Sequence, residues 1–205
     1  GSTGVPKAVT VPHRGPVNLV RWHLRHFRPL RTLQWTSPGF DVSVQEIFAT
    51  LASGGSLVLV DDDVRLEPTR LVDSIRRHGV QRMHVPPTAL RPLLDVHATM
   101  PSLLELCLAG ERCVVTPELA ALLDRHPDLA LFNQYGPTEA SVIVTSHRVD
   151  PTVERTPPIG RPIDNVIVCL LDETGRRVPV GAVGEIYIGG AAVTDGYLGD
   201  QRETV

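Results

Sequence analysis

Residues 133–139 read Asn133-Gln134-Tyr135-Gly136-Pro137-Thr138-Glu139, and several of these types have chemistry to offer. The Asn133 amide can read a purine edge, and the flat Tyr135 ring can stack. Thr138 and Glu139 present hard oxygens suited to a cation such as Mg²⁺. Gly136-Pro137 breaks the backbone at that point. The apolar run Leu129-Ala130-Leu131-Phe132 just before it reads as a buried strand. Polar groups offered where a strand stops are how an open α/β sheet presents a ligand site at its carboxyl edge. The same stretch also reads as a capped loop with an exposed acid, and the remaining chain has to decide between the two.

Two further stretches carry candidate groups. Gly1-Ser2-Thr3-Gly4-Val5-Pro6-Lys7 is a small-residue loop ending in a cation. Glycines let backbone N–H groups approach phosphate oxygens, hydroxyls add donors, and Lys7 supplies charge. It is not a Walker loop, because Val5-Pro6 precedes the lysine and Ala8 follows it; a flexible terminus has the same composition. Asp41, at the start of Phe40-Asp41-Val42-Ser43-Val44-Gln45, is placed as a helix N-cap or as a carboxylate for a substrate ammonium. Asp41, Val42 and Gln45 share one side of the first turns of that helix.

The elements that must hold these groups follow a βα rhythm. A helix is expected over residues 13–27 and strands over 33–36, 56–60, 80–85 and 103–108. Helices are expected over 68–78, stopped by Gly79, over 88–96, and from Thr116 as cap with Pro117 at the first position. Strands alternating with helices predict a parallel sheet covered on both faces. After a Pro- and Thr-rich stretch over 151–158 the pattern turns to strands at 166–171 and 185–188 with glycine punctuation. The expected division is an α/β core over 1–157 and part of a β-rich subdomain over 158–205.

Composition narrows the function classes. Among 205 residues, 42% are hydrophobic and the net charge is −3. No basic stripe points to nucleic acid and no run is long enough to span a membrane. Cys107, Cys113 and Cys169 lack CxxC spacing and read as reduced thiols of a cytoplasmic protein. The opening Gly-Ser-Thr-Gly and the closing Gln-Arg-Glu-Thr-Val suggest an internal piece of a larger protein.

Four segments in order resemble the adenylate-forming superfamily, and specifically the amino-acid adenylation domains of nonribosomal peptide synthetases. They are residues 1–7, Phe40-Asp41-Val42-Ser43, residues 133–139, and Gly184-Glu185-Ile186-Tyr187-Ile188-Gly189-Gly190 continuing to Gly196-Tyr197-Leu198. Ala8 stands where the family often has Gly, and Thr194-Asp195 replaces a frequent Ala-Arg. The resemblance implies a layered parallel-sheet core followed by part of a distorted-barrel subdomain. It implies ATP-dependent formation of an aminoacyl-AMP and loading onto the phosphopantetheine thiol of a peptidyl carrier domain, with a condensation domain in the same parent chain. Ser2, Thr3, Gly4 and Lys7 would hold phosphates, Gly110 and Glu111 the adenine-side backbone, Asn133 the adenine amino group, and Tyr135 and Gly136 the nucleotide. Thr138 would contact the α-phosphate and Glu139 would ligate Mg²⁺. The residues alone would not catalyse the reaction without the missing lobe.

The resemblance also assigns a pocket for the amino acid: Asp41, Val42, Gln45, His84, Cys107, Ala109, Gln134, Val142 and Ile143. Asp-Val-Gln with a later Ala and Val is similar to proline-activating domains, so proline or a related cyclic imino acid is one expectation; a small or medium polar amino acid held by Gln45 and His84 is the other. Two alternatives stay open: an acyl- or aryl-acid ligase of the same superfamily, resembling acyl-CoA synthetases, and a non-catalytic nucleotide-binding module. Asp41 favours an α-ammonium over a plain acyl chain.

Overall fold

The βα rhythm folds into one mostly parallel sheet. The computed structural model describes residues 7–96 and 99–199. In chain order the elements are α1 (Arg14–His26), β1 (Arg31–Gln34), α2 (Val42–Val44), a π-helical turn (Gln45–Ala49), α3 (Thr50–Ala52) and β2 (Ser56–Leu59). Next come α4 (Asp62–Arg65), α5 (Pro68–His78), β3 (Arg82–Val85), α6 (Pro87–Asp95), β4 (Glu105–Leu108), α7 (Pro117–Arg125) and β5 (Ala130–Tyr135). A short 3-10 turn (Thr138–Ala140), β6 (Thr145–Arg148), β7 (Arg161–Pro162), β8 (Val166–Leu171) and β9 (Glu185–Gly190) follow.

The large sheet has the order β2-β1-β3-β4-β5-β6-β7. β1 to β5 run parallel, because a helical crossover separates each from the next. β6 and β7 add an antiparallel edge beside β5. β7 lies beyond residue 157, so the sheet extends past the expected boundary. β8 and β9 form a separate antiparallel pair, with Val166 opposite Gly190 and Leu171 opposite Glu185.

Local signals act as the sequence suggests at two helices. Glu67 accepts from the amides of Thr69 and Arg70 at the start of α5, and Gly79 closes it at φ 58°. Thr116 accepts from the Leu119 amide at the start of α7, with Pro117 behind it. Asp41 differs: it sits at the N-cap position of α2 but makes no side-chain cap bond. Its carboxylate is therefore not spent on the helix.

The two faces of the sheet differ in chemistry. Leu33, Met83, Val85, Leu106, Leu108 and Leu131 pack under α5, α6 and α7 in one apolar cluster. The alternate residues face the other way, since successive strand side chains alternate. Register aligns Thr32 with Arg82, Arg82 with Glu105, and His84 with Cys107 and then Phe132. Cys107, Phe132 and α1 residues Leu19 and Trp22 belong to a second cluster on this side. That face is thus partly polar and buried, and α1 covers it.

Candidate active site at the carboxyl edge of the sheet

A cavity of about 500 Å³ opens where the parallel strands end. Trp35, Thr36 and Ser37 follow β1, Val85 and Pro86 end β3, Ala109, Gly110 and Glu111 follow β4, and Gly136, Pro137 and Thr138 follow β5. Asp41 and Val42 close it from the next helix, and Val142 from the loop after the 3-10 turn. This is the edge at which open α/β sheets bind ligands. β1 and β3 flank the point where strand order reverses.

Of the sequence-predicted residues, Asp41, Val42, Ala109, Gly110, Glu111, Gly136, Thr138 and Val142 line this cavity. Gln45, His84, Cys107, Gln134 and Ile143 are buried. Ser2, Thr3 and Gly4 lie outside the described residues. Lys7 sits 5.4 Å from the Tyr197 ring centroid, on the side where residues 8–10 pair with residues 195–198.

β5 runs through Asn133, Gln134 and Tyr135 rather than stopping at Phe132, and this sends neighbouring side chains to opposite faces. Asn133 is in register with Leu108 on the apolar-cluster side. Its amide nitrogen donates to the carbonyls of Pro157 (3.3 Å) and Pro158 (2.8 Å). With the nitrogen committed, Oδ1 is the atom left to accept from an amino group. Glu111 is engaged within the protein as well: its carboxylate accepts from the Thr88 amide (3.1 Å) and hydroxyl (2.8 Å) at the start of α6.

The loop after β5 is built on a close approach. A Cβ on Gly136 would lie 2.5 Å from the Val142 carbonyl oxygen and 2.5 Å from the Ile143 Cα. The Val144 amide donates to the Tyr135 carbonyl (2.8 Å) and fastens the return. Ser141 and Val142 are held at φ 54° and 83°. For a β-branched valine that conformation is strained by about 1–3 kcal/mol. The strain places Val142 in the cavity wall and Ile143 against the second cluster. Thr138 and Glu139 stay exposed at the mouth. Tyr197 donates its hydroxyl to Glu139 Oε1, and the Thr194 amide donates to the Glu139 carbonyl (3.0 Å). A carboxylate of this kind could hold a hard cation such as Mg²⁺ together with oxygens from a phosphate.

Burial sets the protonation of the inner groups. Burial holds His23 down at about 3, with Arg82 adding to the effect. Burial, then Arg82, then His23 hold His84 well below the usual imidazole range. Both rings are neutral near pH 7. Burial pushes Glu46 up to about 7, against the opposing hydrogen bonds from Thr36. Glu46 accepts from the Thr36 amide (3.0 and 3.2 Å) and hydroxyl (2.8 Å), tying the π-helical turn to the cavity wall. Burial also raises the Cys107 thiol, which argues against a nucleophilic role.

Comparison with known proteins decides the family. The model of the family described as AMP-binding enzyme matches residues 1–198. The chain belongs to the AMP-binding enzymes. Among them it groups with nonribosomal peptide synthetase adenylation domains. It is 36% identical over 214 residues to gramicidin S synthase 2 of Brevibacillus brevis, covering 100% of this chain and 5% of that protein. It is 43% identical over 206 residues to the phosphinothricin tripeptide synthetase PhsB of Streptomyces viridochromogenes, covering 97% of this chain and 17% of that one. Among solved structures, PA1221, a nonribosomal peptide synthetase protein with adenylation and PCP domains, superposes with a TM-score of 0.88 at 31% identity. That match covers 100% of this chain and 42% of PA1221. FmoA3 in its AMPPNP-bound form gives a TM-score of 0.87 at 29% identity, over 99% of this chain and 23% of that one.

This AMP-binding chain also recruits residues that the sequence did not flag. Trp35, Thr36, Ser37, Phe40, Val85, Pro86 and Arg65 line the cavity. The Ser37-Pro38-Gly39 turn after a strand was a usable signal for the first four. Arg65 had none, because it reaches the Trp35 carbonyl (3.3 Å) from a surface helix 30 residues away.

Proposed function

We propose that this segment contributes the amino-acid and nucleotide sites of a domain that converts ATP and an amino acid to aminoacyl-AMP and loads a carrier phosphopantetheine thiol. The observation that carries the reading is the cavity at the strand ends, where Asp41, Thr138, Gly110, Glu111 and Gly136 meet. Asp41 makes no helix cap bond, so its carboxylate is available to an α-ammonium. Asn133 Oδ1 is available to the adenine amino group, with Tyr135 beside it on β5 and Gly136 following. Thr138 stands at the mouth to donate to the α-phosphate, and Lys7 adds positive charge near Glu139 through Tyr197.

The chemical difficulty is charge. The substrate carboxylate attacks the α-phosphorus, pyrophosphate leaves, and negative charge grows on phosphate oxygens. Mg²⁺ at Glu139 would supply compensating charge there. The chain's own part is to orient: Asp41 fixes the ammonium end so that the carboxylate meets the phosphate. The Asp41-Val42-Gln45 pattern with Ala109 and Val142 supports a compact substrate, such as a cyclic imino acid or a small polar amino acid. A carrier domain and a condensation domain in the same parent chain, and a cytoplasmic setting, belong to this reading. An acyl- or aryl-acid ligase would place a carboxylate, Asp41, against an apolar chain.

The test is amino-acid-dependent exchange of pyrophosphate into ATP by a complete domain carrying these residues. Exchange with amino acids, reduced about 10²–10³-fold by Asp41→Ala, supports the reading. Exchange with acyl or aryl acids alone, or nucleotide binding with no exchange, sinks it.

A further inference from the structure

Between the polar face of the sheet and its covering helices lie four uncharged polar side chains. They are His23 on α1, Gln45 in the π-helical turn, His84 on β3 and Gln134 on β5, with exposures of 0%, 1%, 2% and 2%. Among the described residues, neither ring nitrogen of either histidine has a hydrogen-bond partner, and neither amide atom of either glutamine has one. Such groups are rare in a folded interior, and four in one layer form an incomplete network. The His23 and His84 rings lie 6.4 Å apart.

Three of the four side chains neighbour residues of the cavity wall along the chain. Gln45 is one helical step from Val42, His84 precedes Val85, and Gln134 is two residues before Gly136 on the same strand run. Cys107, the register partner of His84, is two residues before Ala109. Val42, Val85, Gly136 and Ala109 all line the cavity.

Charge is already balanced there. Glu105 receives the Arg82 guanidinium at 2.7 Å from Nε and 2.6 Å from Nη2. The histidines are neutral. A charged side chain entering this layer would be desolvated with no counter-ion. An apolar one would leave the unpaired atoms unmet, which is how a hydrogen-bonding site rejects an analogue lacking the polar group.

We propose that the subsite takes an amino acid whose side chain ends in an uncharged group with both a donor and an acceptor, a hydroxyl or carboxamide, bonded by Gln45, His84 and Gln134. His23, which is not among the nine pocket positions, backs His84 as a further specificity-determining residue. The inference rests on the amino-acid-activating reading above. A ring substrate fits it only if the ring carries such a group.

The test is a pyrophosphate-exchange panel of isosteric pairs on a complete domain carrying these residues: threonine with valine, asparagine with leucine, glutamine with methionine, and 4-hydroxyproline with proline. Aspartate and glutamate are the charged controls. One polar member is expected to exceed its apolar partner at least about tenfold in kcat/KM, the scale of one unmet buried hydrogen bond. The acids should stay at background. Parity within every pair, which would mean that water completes the network, overturns the proposal, as does preference for an apolar or acidic amino acid. Exchange with no amino acid but with an acyl acid overturns the underlying reading instead. Gln45→Leu and His23→Leu are expected to raise KM for the preferred substrate while exchange with its apolar partner persists. An unchanged polar-to-apolar ratio in both variants contradicts the assignment.

Discussion

Glu46 and His23 are both buried and titrate in opposite senses. The Glu46 carboxyl rises from 4.5 to about 7, so its contribution to stability is full below pH 4.5 and is lost as pH rises through 7. His23 falls from 6.5 to about 3, so its contribution is full above pH 6.5 and is lost as pH falls through 3. Above pH 6.5 Glu46 acts without the histidine. Glu46→Gln keeps a hydrogen-bonding group but cannot ionise. It is expected to remove the part of that loss that falls between pH 6.5 and pH 8, on the order of 1 kcal/mol. Urea denaturation of both proteins at pH 6.5 and pH 8 checks this; equal slopes with pH would put the Glu46 charge elsewhere. Gly136 gives a second prediction. Its φ is ordinary, and the obstacle is the backbone of residues 142–144 within 2.9 Å of a Cβ. Gly136→Ala should displace that loop, lower stability by roughly 1–3 kcal/mol and weaken ATP binding in a complete domain. Wild-type melting and nucleotide affinity would show that the approach is not needed.

At the scale of elements, β3 and β4 are joined across their polar face by a fully buried ion pair. Arg82 is 0% exposed, and its Nη2 also donates to the Arg28 carbonyl (2.7 Å). Removing one partner leaves an uncompensated buried charge, a loss of about 3–5 kcal/mol. Glu105→Ala should show that loss in chemical denaturation. The double change Arg82→Met with Glu105→Leu should restore most of it, because no charge remains to be desolvated. If the double variant is no better than Glu105→Ala, the pair is more than a compensated charge. The π-helical turn is the other element with consequence. It buries Gln45 and brings Glu46 to Thr36 within one run, and π turns are often found at functional sites.

For the whole molecule, the surface between α1 and the turn that follows α2 is unusually apolar. Val11, Val17 and Phe48 are 37%, 45% and 59% exposed along a groove of about 630 Å³ that also includes Val20, Val44 and Ala52. An exposed patch of this kind drives association. Val17→Ser with Phe48→Ser is therefore expected to lower the concentration-dependent sedimentation of the 205-residue chain and its binding of a hydrophobic dye. Unchanged behaviour would show that the groove is not the sticking surface. Among the described residues no helix is long and apolar enough to cross a membrane.

The sequence by itself determined what is local. Pro68, Gly79, Thr116 and Pro117 set the ends of α5 and α7 because caps and turn dihedrals depend on a few neighbouring residues. The stretch 133–139 marked a strand end with chemistry, for the same reason. Tertiary structure decided which way those groups point. The inner strands are buried on both faces, so their composition does not say which side chains meet the apolar helices and which meet α1. Asn133 and Gln134 were legible as functional types, yet their opposite faces follow from register with Leu108 and Ser146. The antiparallel edge was not legible because β7 has only two residues and β6, Thr145-Ser146-His147-Arg148, has no apolar alternation to read. Nothing local marks His23 as a buried residue of its arginine- and histidine-rich helix. It became part of a polar layer only when α1 packed on β3 and β4, a contact between residues some 60 positions apart whose energy no local window contains.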